Sequence, residues 1–438
     1  MLHATTLPPL RLLVALTATL VLLAPASWAS AQQPPGDPVI EALMTLYEGD
    51  VGGAGKLLAQ RLAAAPGDER ARFALGGIRT LAALEGLAQD LYRYGLGSGS
   101  VGETRMLLPF DLPANPTPAS VRYPDLRDAL ERFRTRLLDA DGTLAPLGEL
   151  AGTDAGAALQ WRLELGRVRL DLDGNGVPGA PLATGLEGLR GGSATGPEPA
   201  DPDIAIDADL GDALWLRGYL NLLAAVTDAI LAHDGQRLWD ATAQVFFARA
   251  ETAYPYLRTP TAPDVGGFDA ALLADLIAMI HLIDLPVTEP ERLARALGNL
   301  ETTAAMSRAS WTEILAETDD GREWLPNPAQ TGVVPSGRGG PPVAVDAEML
   351  DAWFVMLDEI DAVLAGRKLV PYWRVTDGRG LNLRRVFLEP RRFDLVLWIQ
   401  GAAAASYLEH GEVTDAETWR DIVRAFGGRF APFALWFN

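Results

Sequence analysis

Cysteine is absent from the 438-residue chain, and lysine occurs only at Lys56 and Lys368. Without a thiol the chain has no disulfide bond, no thiol nucleophile, no thiolate metal ligand and no lipid-bearing cysteine. The motifs of three enzyme classes are missing as well: a G-x-S-x-G elbow, a Walker lysine loop and an H-E-x-x-H zinc sequence. Together these absences exclude thiol chemistry and the commonest signatures of hydrolases, nucleotidases and zinc proteases.

Basic residues are outnumbered, with 37 lysines and arginines against 57 acids and a formal net charge of -20. A charge of this sign argues against binding to nucleic acid or to an anionic membrane. The partner predicted from composition is therefore a protein or a polymer ligand, with no nucleic acid.

The first 31 residues have the pattern of a secretory signal peptide. Arg11 supplies the positive charge, 12–24 form an apolar core, and Ala29-Ser30-Ala31 is a small-residue cleavage site. That core is short for a membrane span, and no later stretch is long and apolar enough to be one. We expect a periplasmic or secreted protein with no membrane span in the mature chain.

Helical periodicity dominates the rest of the sequence, which predicts a mainly α fold. A helical hairpin at 39–48 and 51–64 and a long helix at 69–94 resemble a tetratricopeptide repeat (TPR) followed by the start of another, on Ala54, Leu58, Pro66, Leu75 and Gly76. The predicted organisation is a TPR-like region at 32–108, a proline-rich linker at 109–122 and a helical body at 123–438 with a small β element.

One stretch suggests metal chemistry by its spacing. Val168, Leu170 and Leu172 alternate with polar residues like a half-buried strand, and oxygen donors follow at once. Asp171, Asp173 and Asn175 stand at positions 1, 3 and 5 of an oxygen-ligand loop, Gly176 at position 6, and the Val177 carbonyl at position 7. The run resembles the first half of an EF-hand, which implies a bound calcium ion.

The second half of that loop is missing, because position 12 is Leu182 in place of a carboxylate. A calcium site therefore needs an acid from elsewhere. The acids close downstream are Glu187, Asp201, Asp203, Asp207, Asp209 and Asp212. The alternative is a turn whose Asp and Asn side chains bond to their own backbone.

A ligand groove is predicted from Arg217, Trp324 and Trp373. Arg217 and Asn221 interrupt the apolar stripe of a central helix at 209–233. An arginine inside a protein is either paired with an acid, here one near the start of that helix, or faces a binding pocket. The groove belongs to the predicted function, an exported binding or scaffolding protein.

The loop at 318–345 supports an alternative, a glycosidase-like enzyme acting on polysaccharide. Loops of this length in a compact body are usually functional or disordered. Such enzymes need two carboxylates at a fixed separation and aromatic faces for sugar rings. The acids are Asp319, Asp320 and Glu323 beside Trp324, and the aromatic faces are Tyr372 and Trp373.

Four further sequences resemble those of a group of uncharacterised exported bacterial proteins. They are Leu-Asp-Leu-Asp-Gly-Asn-Gly at 170–176, Trp-Leu-Arg-Gly-Tyr at 215–219, Glu-Trp-Leu-Pro-Asn-Pro at 323–328, and the stretch at 382–398. The resemblance covers most of the mature chain and implies export, but it brings no activity or catalytic residue with it.

Overall fold

The structure, a computed structural model, describes residues 36–96, 112–179, 205–258, 270–333 and 344–426. The predicted signal peptide and the aromatic C-terminal end lie outside the described residues. Within them the chain is mainly helical with three small strand pairs, which confirms the predicted fold class.

Thirteen α-helices are found in the described ranges. They are α1 (Pro38–Tyr47), α2 (Val51–Ala64), α3 (Glu69–Arg93), α4 (Tyr123–Leu144), α5 (Asp154–Ala157), α6 (Leu210–Leu231), α7 (Gln236–Thr242), α8 (Ala270–Leu282), α9 (Pro290–Ile314), α10 (Ala347–Leu364), α11 (Leu383–Leu388), α12 (Leu395–Gln400) and α13 (Ala416–Ala425). The strands are β1 (Trp161–Glu164), β2 (Ala205–Ala208), β3 (Asp284–Leu285), β4 (Arg379–Leu381), β5 (Phe393–Asp394) and β6 (Leu408–His410). They pair antiparallel as β1 with β2, β3 with β5 and β4 with β6.

The first three helices begin where aspartates cap them. Asp37, Asp50 and Asp68 each accept a hydrogen bond from a backbone N–H in the first turn of α1, α2 and α3. Such caps satisfy N–H groups that have no partner inside the helix. Gly49, at a φ of 92°, makes the turn between α1 and α2. The predicted helical hairpin and the long helix are therefore present.

Helices α6 and α9 lie antiparallel at the centre, and small residues let them approach closely. Ser310 donates to the Gly211 carbonyl at 2.9 Å, and Thr303 donates to the Gly218 carbonyl at 3.2 Å. A Cβ on Gly211 would lie 2.7 Å from the Ile314 side chain, closer than carbon atoms pack. The contact sets the end of α9 beside the start of α6.

The main hydrophobic core joins most of the helices. Its buried side chains come from α1 to α4, α6, α9, α10, α13 and the β1 segment. Two smaller clusters lie around Trp239 and around Tyr407. By length and composition α6 is the one described helix that qualifies as a membrane span, and 72% of its apolar window is buried inside the protein. Burial of that extent is what a core helix requires, so the structure supports no clear membrane span.

In two places the observed elements differ from those that the local sequence predicts. The sequence over 236–251 predicts one helix, but α7 ends at Thr242, because Glu251 N–H donates to the Val121 carbonyl at 2.7 Å and Phe247 pairs with Leu96. The apolar run at 393–399 predicts a strand or a buried helix, but it contains both β5 and α12, and the side chain of Ile399 is exposed. In both places contacts distant in sequence override local pattern.

Helix α3 packs closely against the end of α4 at Gly76. A Cβ at this position would lie 2.2 Å from Cδ2 and 2.4 Å from Cγ of the fully buried Leu144. We expect Gly76→Ala to lower the free energy of unfolding by about 1 to 2 kcal/mol, since overpacking outweighs the gain in helix propensity. Urea denaturation of the purified protein measures this change.

The neighbouring glycine provides the control. A Cβ on Gly77 would meet only the Trp161 ring, at 3.7 Å, which is ordinary contact. Gly77→Ala should therefore leave stability unchanged or raise it by up to about 1 kcal/mol. Equal destabilisation by the two alanines would show that close packing at Gly76 is not the cause.

Candidate metal centre

Three carboxylates from separate parts of the chain converge at the start of α6. Asp209 is the N-cap of α6, Glu317 follows the end of α9, and Glu323 lies in the loop after it. One carboxylate oxygen of each residue lies within 4.8 Å of an oxygen of the other two. We call these three residues the carboxylate cluster.

The helix termini fix the first two members. Asp209 accepts a hydrogen bond from Asp212 N–H at 3.2 Å, and Asp212 accepts one from Asp209 N–H at 3.3 Å. This reciprocal capping box holds both acids at the positive end of α6. The close packing at Gly211 then places Glu317, just past α9, beside them; a Cβ on Gly211 would be 3.4 Å from Glu317 Oε1.

Polar side chains hold the loop that carries Glu323. Asn327 donates to the Ile314 carbonyl at 2.9 Å and so satisfies the C-terminal end of α9. Gln330 donates to Glu317 Oε2 at 3.0 Å and to the Asp319 carbonyl at 2.9 Å. Gly321 N–H donates to Glu323 Oε1 at 2.7 Å. The loop is thus tied to the helix end that bears Glu317.

Burial and mutual repulsion oppose ionisation of these acids. Burial, reinforced by the charge of Asp209, raises the pKa of Glu317 to about 10. Burial also raises the pKa of Glu323 to about 7, despite the hydrogen bond from Gly321. The pKa values of Asp209 and Asp212 are raised as well, with burial the largest cause for each. Desolvation and neighbouring like charge both favour the neutral form.

The ion pair beside the cluster belongs to Asp207, whose carboxylate accepts hydrogen bonds from Arg162 Nε at 2.6 Å and from Arg162 Nη2 at 2.7 Å. Carboxylates as close together as those of the cluster repel one another when ionised, so they need either protons or a cation between them. The cluster therefore has the composition of a site for a hard cation, which prefers oxygen ligands.

The predicted calcium loop forms a tight turn that its own side chains hold. Asp171 accepts hydrogen bonds from Asn175 N–H at 3.1 Å and from Gly176 N–H at 2.9 Å. Asp173 also accepts from Asn175 N–H at 3.1 Å, and Asn175 Oδ1 accepts from Val177 N–H at 2.6 Å. These are the bonds of the alternative, a self-bonded turn. Calcium binding by Asp171, Asp173, Asn175 and Val177 stays a prediction.

The three residues of the predicted groove have separate partners. Arg217 donates to Asp141 at 2.8 Å, the paired arrangement, although the acid is not one of those near the start of α6. Trp324 is buried with its ring 5.6 Å from that of Trp215. Trp373 is exposed and donates to the Ile399 carbonyl at 3.2 Å. A groove shared by all three stays a prediction.

The residues of the predicted glycosidase site also lie in two separate places, at the cluster and at α12. Glu323 belongs to the cluster, whereas Asp319 and Asp320 are exposed at its edge. Asp320 accepts from Thr331 N–H at 2.6 Å. Tyr372 donates to the Trp398 carbonyl, so it lies against α12 together with Trp373.

Glu317 is the member that the sequence interpretation missed. It stands one residue before the loop at 318–345, just past the end of α9, and no spacing rule connects it to Asp209. Comparison with protein-family models, curated proteins and solved structures found no match for this chain. The site is therefore defined by its geometry.

Proposed function

We propose that this chain is an exported binding protein whose folded state is stabilised by one divalent cation, calcium, at Asp209, Glu317 and Glu323. The observation that carries the proposal is the separation of the three carboxylate oxygens, each within 4.8 Å of the others. Two oxygens that bind one calcium ion at about 2.4 Å are at most about 4.8 Å apart. The three acids fit around a single ion.

Such an ion would stabilise the fold because its ligands lie on different segments. Asp209 precedes α6, whereas Glu317 and Glu323 follow α9. A cation shared by them cross-links the two central helices and removes the repulsion among buried charges. A site of this kind is absent from an unfolded chain, so binding free energy adds to folding free energy.

Thermal unfolding of the purified mature protein in chelator and in calcium tests the proposal. At a calcium concentration a hundred times the dissociation constant, we expect about 2.7 kcal/mol of added stability and a higher midpoint. The double variant Glu317→Gln/Glu323→Gln should lose this response. Glutamine keeps the shape of each side chain and removes its charge.

A matched double variant separates the two possible sites. Asp171→Asn/Asp173→Asn alters the turn described above and leaves the cluster intact, so its midpoint should still rise with calcium. If that variant loses the response and the glutamine variant keeps it, the ion binds the turn. Absence of any shift in the parent protein would contradict a stabilising calcium ion at either place.

Hydrolysis of polysaccharide is a second candidate, favoured by the environment of Glu323. A carboxyl with a pKa of about 7 can act as a general acid near neutral pH, and Asp209 places a second carboxyl beside it. Measurement of reducing sugar released from neutral polysaccharides by the parent and by Glu323→Gln examines this activity. Release by the parent, absent from the variant, would support an enzyme.

A further inference from the structure

A large apolar cavity lies away from the carboxylate cluster. It encloses about 580 Å³ between the start of α4, the end of α6, α7, the end of α8, β5 and α12. Pockets that hold small molecules fall roughly in the range 300–1,000 Å³. Aromatic side chains form much of its wall, namely Trp239, Phe246, Phe247, Phe387, Phe393 and Trp398. Its size and lining fit an apolar molecule.

The charge within this wall comes from Arg391. The other basic group of the lining is His233, whose Nδ1 lies 2.7 Å from the Ala229 carbonyl and whose pKa burial lowers. His233 is therefore neutral near pH 7. Arg391 is exposed at the edge of the cavity, so its guanidinium reaches both the apolar wall and water.

Arg391 also differs from the neighbouring arginines in its ion pairing. In the described part of the chain no acid lies within 4.0 Å of its guanidinium, whereas the adjacent Arg392 is paired with Asp284 and Arg385 with Glu389. The backbone that carries Arg391 is held in place, because Tyr407 donates to the Glu389 carbonyl at 3.0 Å and stacks on Trp398 at 5.8 Å. A guanidinium without an acidic partner, carried on a held backbone beside an apolar cavity, is complementary to an anion on an apolar chain.

We propose that this cavity binds a single-chain amphiphile: the alkyl chain lies among the aromatic residues and the anionic headgroup pairs with Arg391. The aromatic wall supplies the affinity by excluding water from the chain, and the guanidinium fixes which end of the ligand lies at the rim. Carboxylate and phosphate headgroups share the required chemistry, and the ligand panel below distinguishes them.

Decanoate is the first probe, and the tryptophans at 239 and 398 report on it because both line the cavity. Titration of the purified protein, followed by tryptophan fluorescence and calorimetry, should give saturable binding. Decanol, with the same chain and no charge, should bind about tenfold more weakly or worse, and decyltrimethylammonium more weakly still. Decyl phosphate in place of decanoate tells which headgroup is preferred.

Variants locate the ligand. Arg391→Gln should weaken decanoate binding about tenfold or more and leave decanol binding unchanged. Arg392→Gln is the matched control, since that arginine is adjacent, is paired with Asp284 and does not line the cavity. Ala229→Trp, which places an indole in the cavity, should abolish binding of every probe while circular dichroism shows an unchanged fold.

Three results would overturn the proposal. The first is no saturable binding of any alkyl probe. The second is equal affinity for decanoate, decanol and the ammonium compound, which would remove the role of Arg391. The third is equal loss of affinity in Arg391→Gln and Arg392→Gln. Because the cavity and the carboxylate cluster share no residue, failure here leaves the calcium proposal untouched.

Discussion

Replacement of Asp228 by alanine is expected to destabilise the protein by about 3 kcal/mol, because it removes the fully buried acid that pairs with Arg134 and Arg292 and leaves them only the more exposed Glu131 and Glu289. Asp228 lies on α6 and is fully buried. Its Oδ1 atom lies 2.7 Å from Arg134 Nε and 3.3 Å from Arg292 Nη1, and both arginine side chains are only 13% exposed. The midpoint of urea unfolding measures the loss.

Two further variants show that the charge is the cause. Arg295 also approaches Asp228, at 3.6 Å, but its side chain is 43% exposed, so Arg295→Ala should cost less than about 1 kcal/mol. The double variant Asp228→Leu/Arg134→Met replaces the pair with apolar groups and should recover part of the lost stability. If Asp228→Ala lowered the stability as little as Arg295→Ala does, Asp228 would not be the residue that holds this group of ion pairs together.

The helices could be predicted because their signals are local. Asp50 and Asp68 precede apolar periodic stretches, and the structure begins α2 and α3 directly after them. The short strands are harder to predict than the helices, because each needs a partner far along the chain. For example, β1 pairs with β2 across more than 40 residues, with Trp161 opposite Ala208. The alternation within a short strand does not show which distant segment it pairs with.

The candidate site, like the strands, could be predicted only in part, because its residues are far apart in the sequence. The sequence indicates Asp209 and Glu323 as candidate site residues for different reasons, but no pattern joins the two, and none points to Glu317. Their meeting depends on the antiparallel contact of α6 with α9, which Gly211 and Ser310 allow. By contrast, the most regular oxygen-donor spacing, at Asp171, forms a turn bonded to its own backbone.

Without a bound cation, the protein is expected to lose stability as the pH rises from 5 to 8. Burial raises the pKa of Glu323 from its ordinary value of 4.5 to about 7, so between these two values the folded protein holds a proton that the unfolded chain releases. The stabilisation is complete below pH 4.5 and is lost as the pH rises through 7. Glu323 alone contributes about 3 kcal/mol. Urea denaturation in chelator at pH 5 and 8 measures the change.

Glu317, Asp209 and Asp212, whose pKa values are also raised, change stability in the same direction as Glu323. Groups outside the cluster behave differently. Asp125, Asp284 and Glu289 have pKa values lowered by neighbouring arginines, so they lose stability only in more acidic solution. Burial lowers the pKa of His233, which gives the opposite slope. Glu323→Gln should therefore reduce the loss of stability between pH 5 and 8 without abolishing it, because Glu317 still titrates, and it should be more stable than the parent at pH 8. Calcium binding competes with protons for the same oxygens, so it should stabilise the parent more at pH 8 than at pH 5. A parent equally stable at both pH values in chelator would show that the buried carboxylates already have a partner.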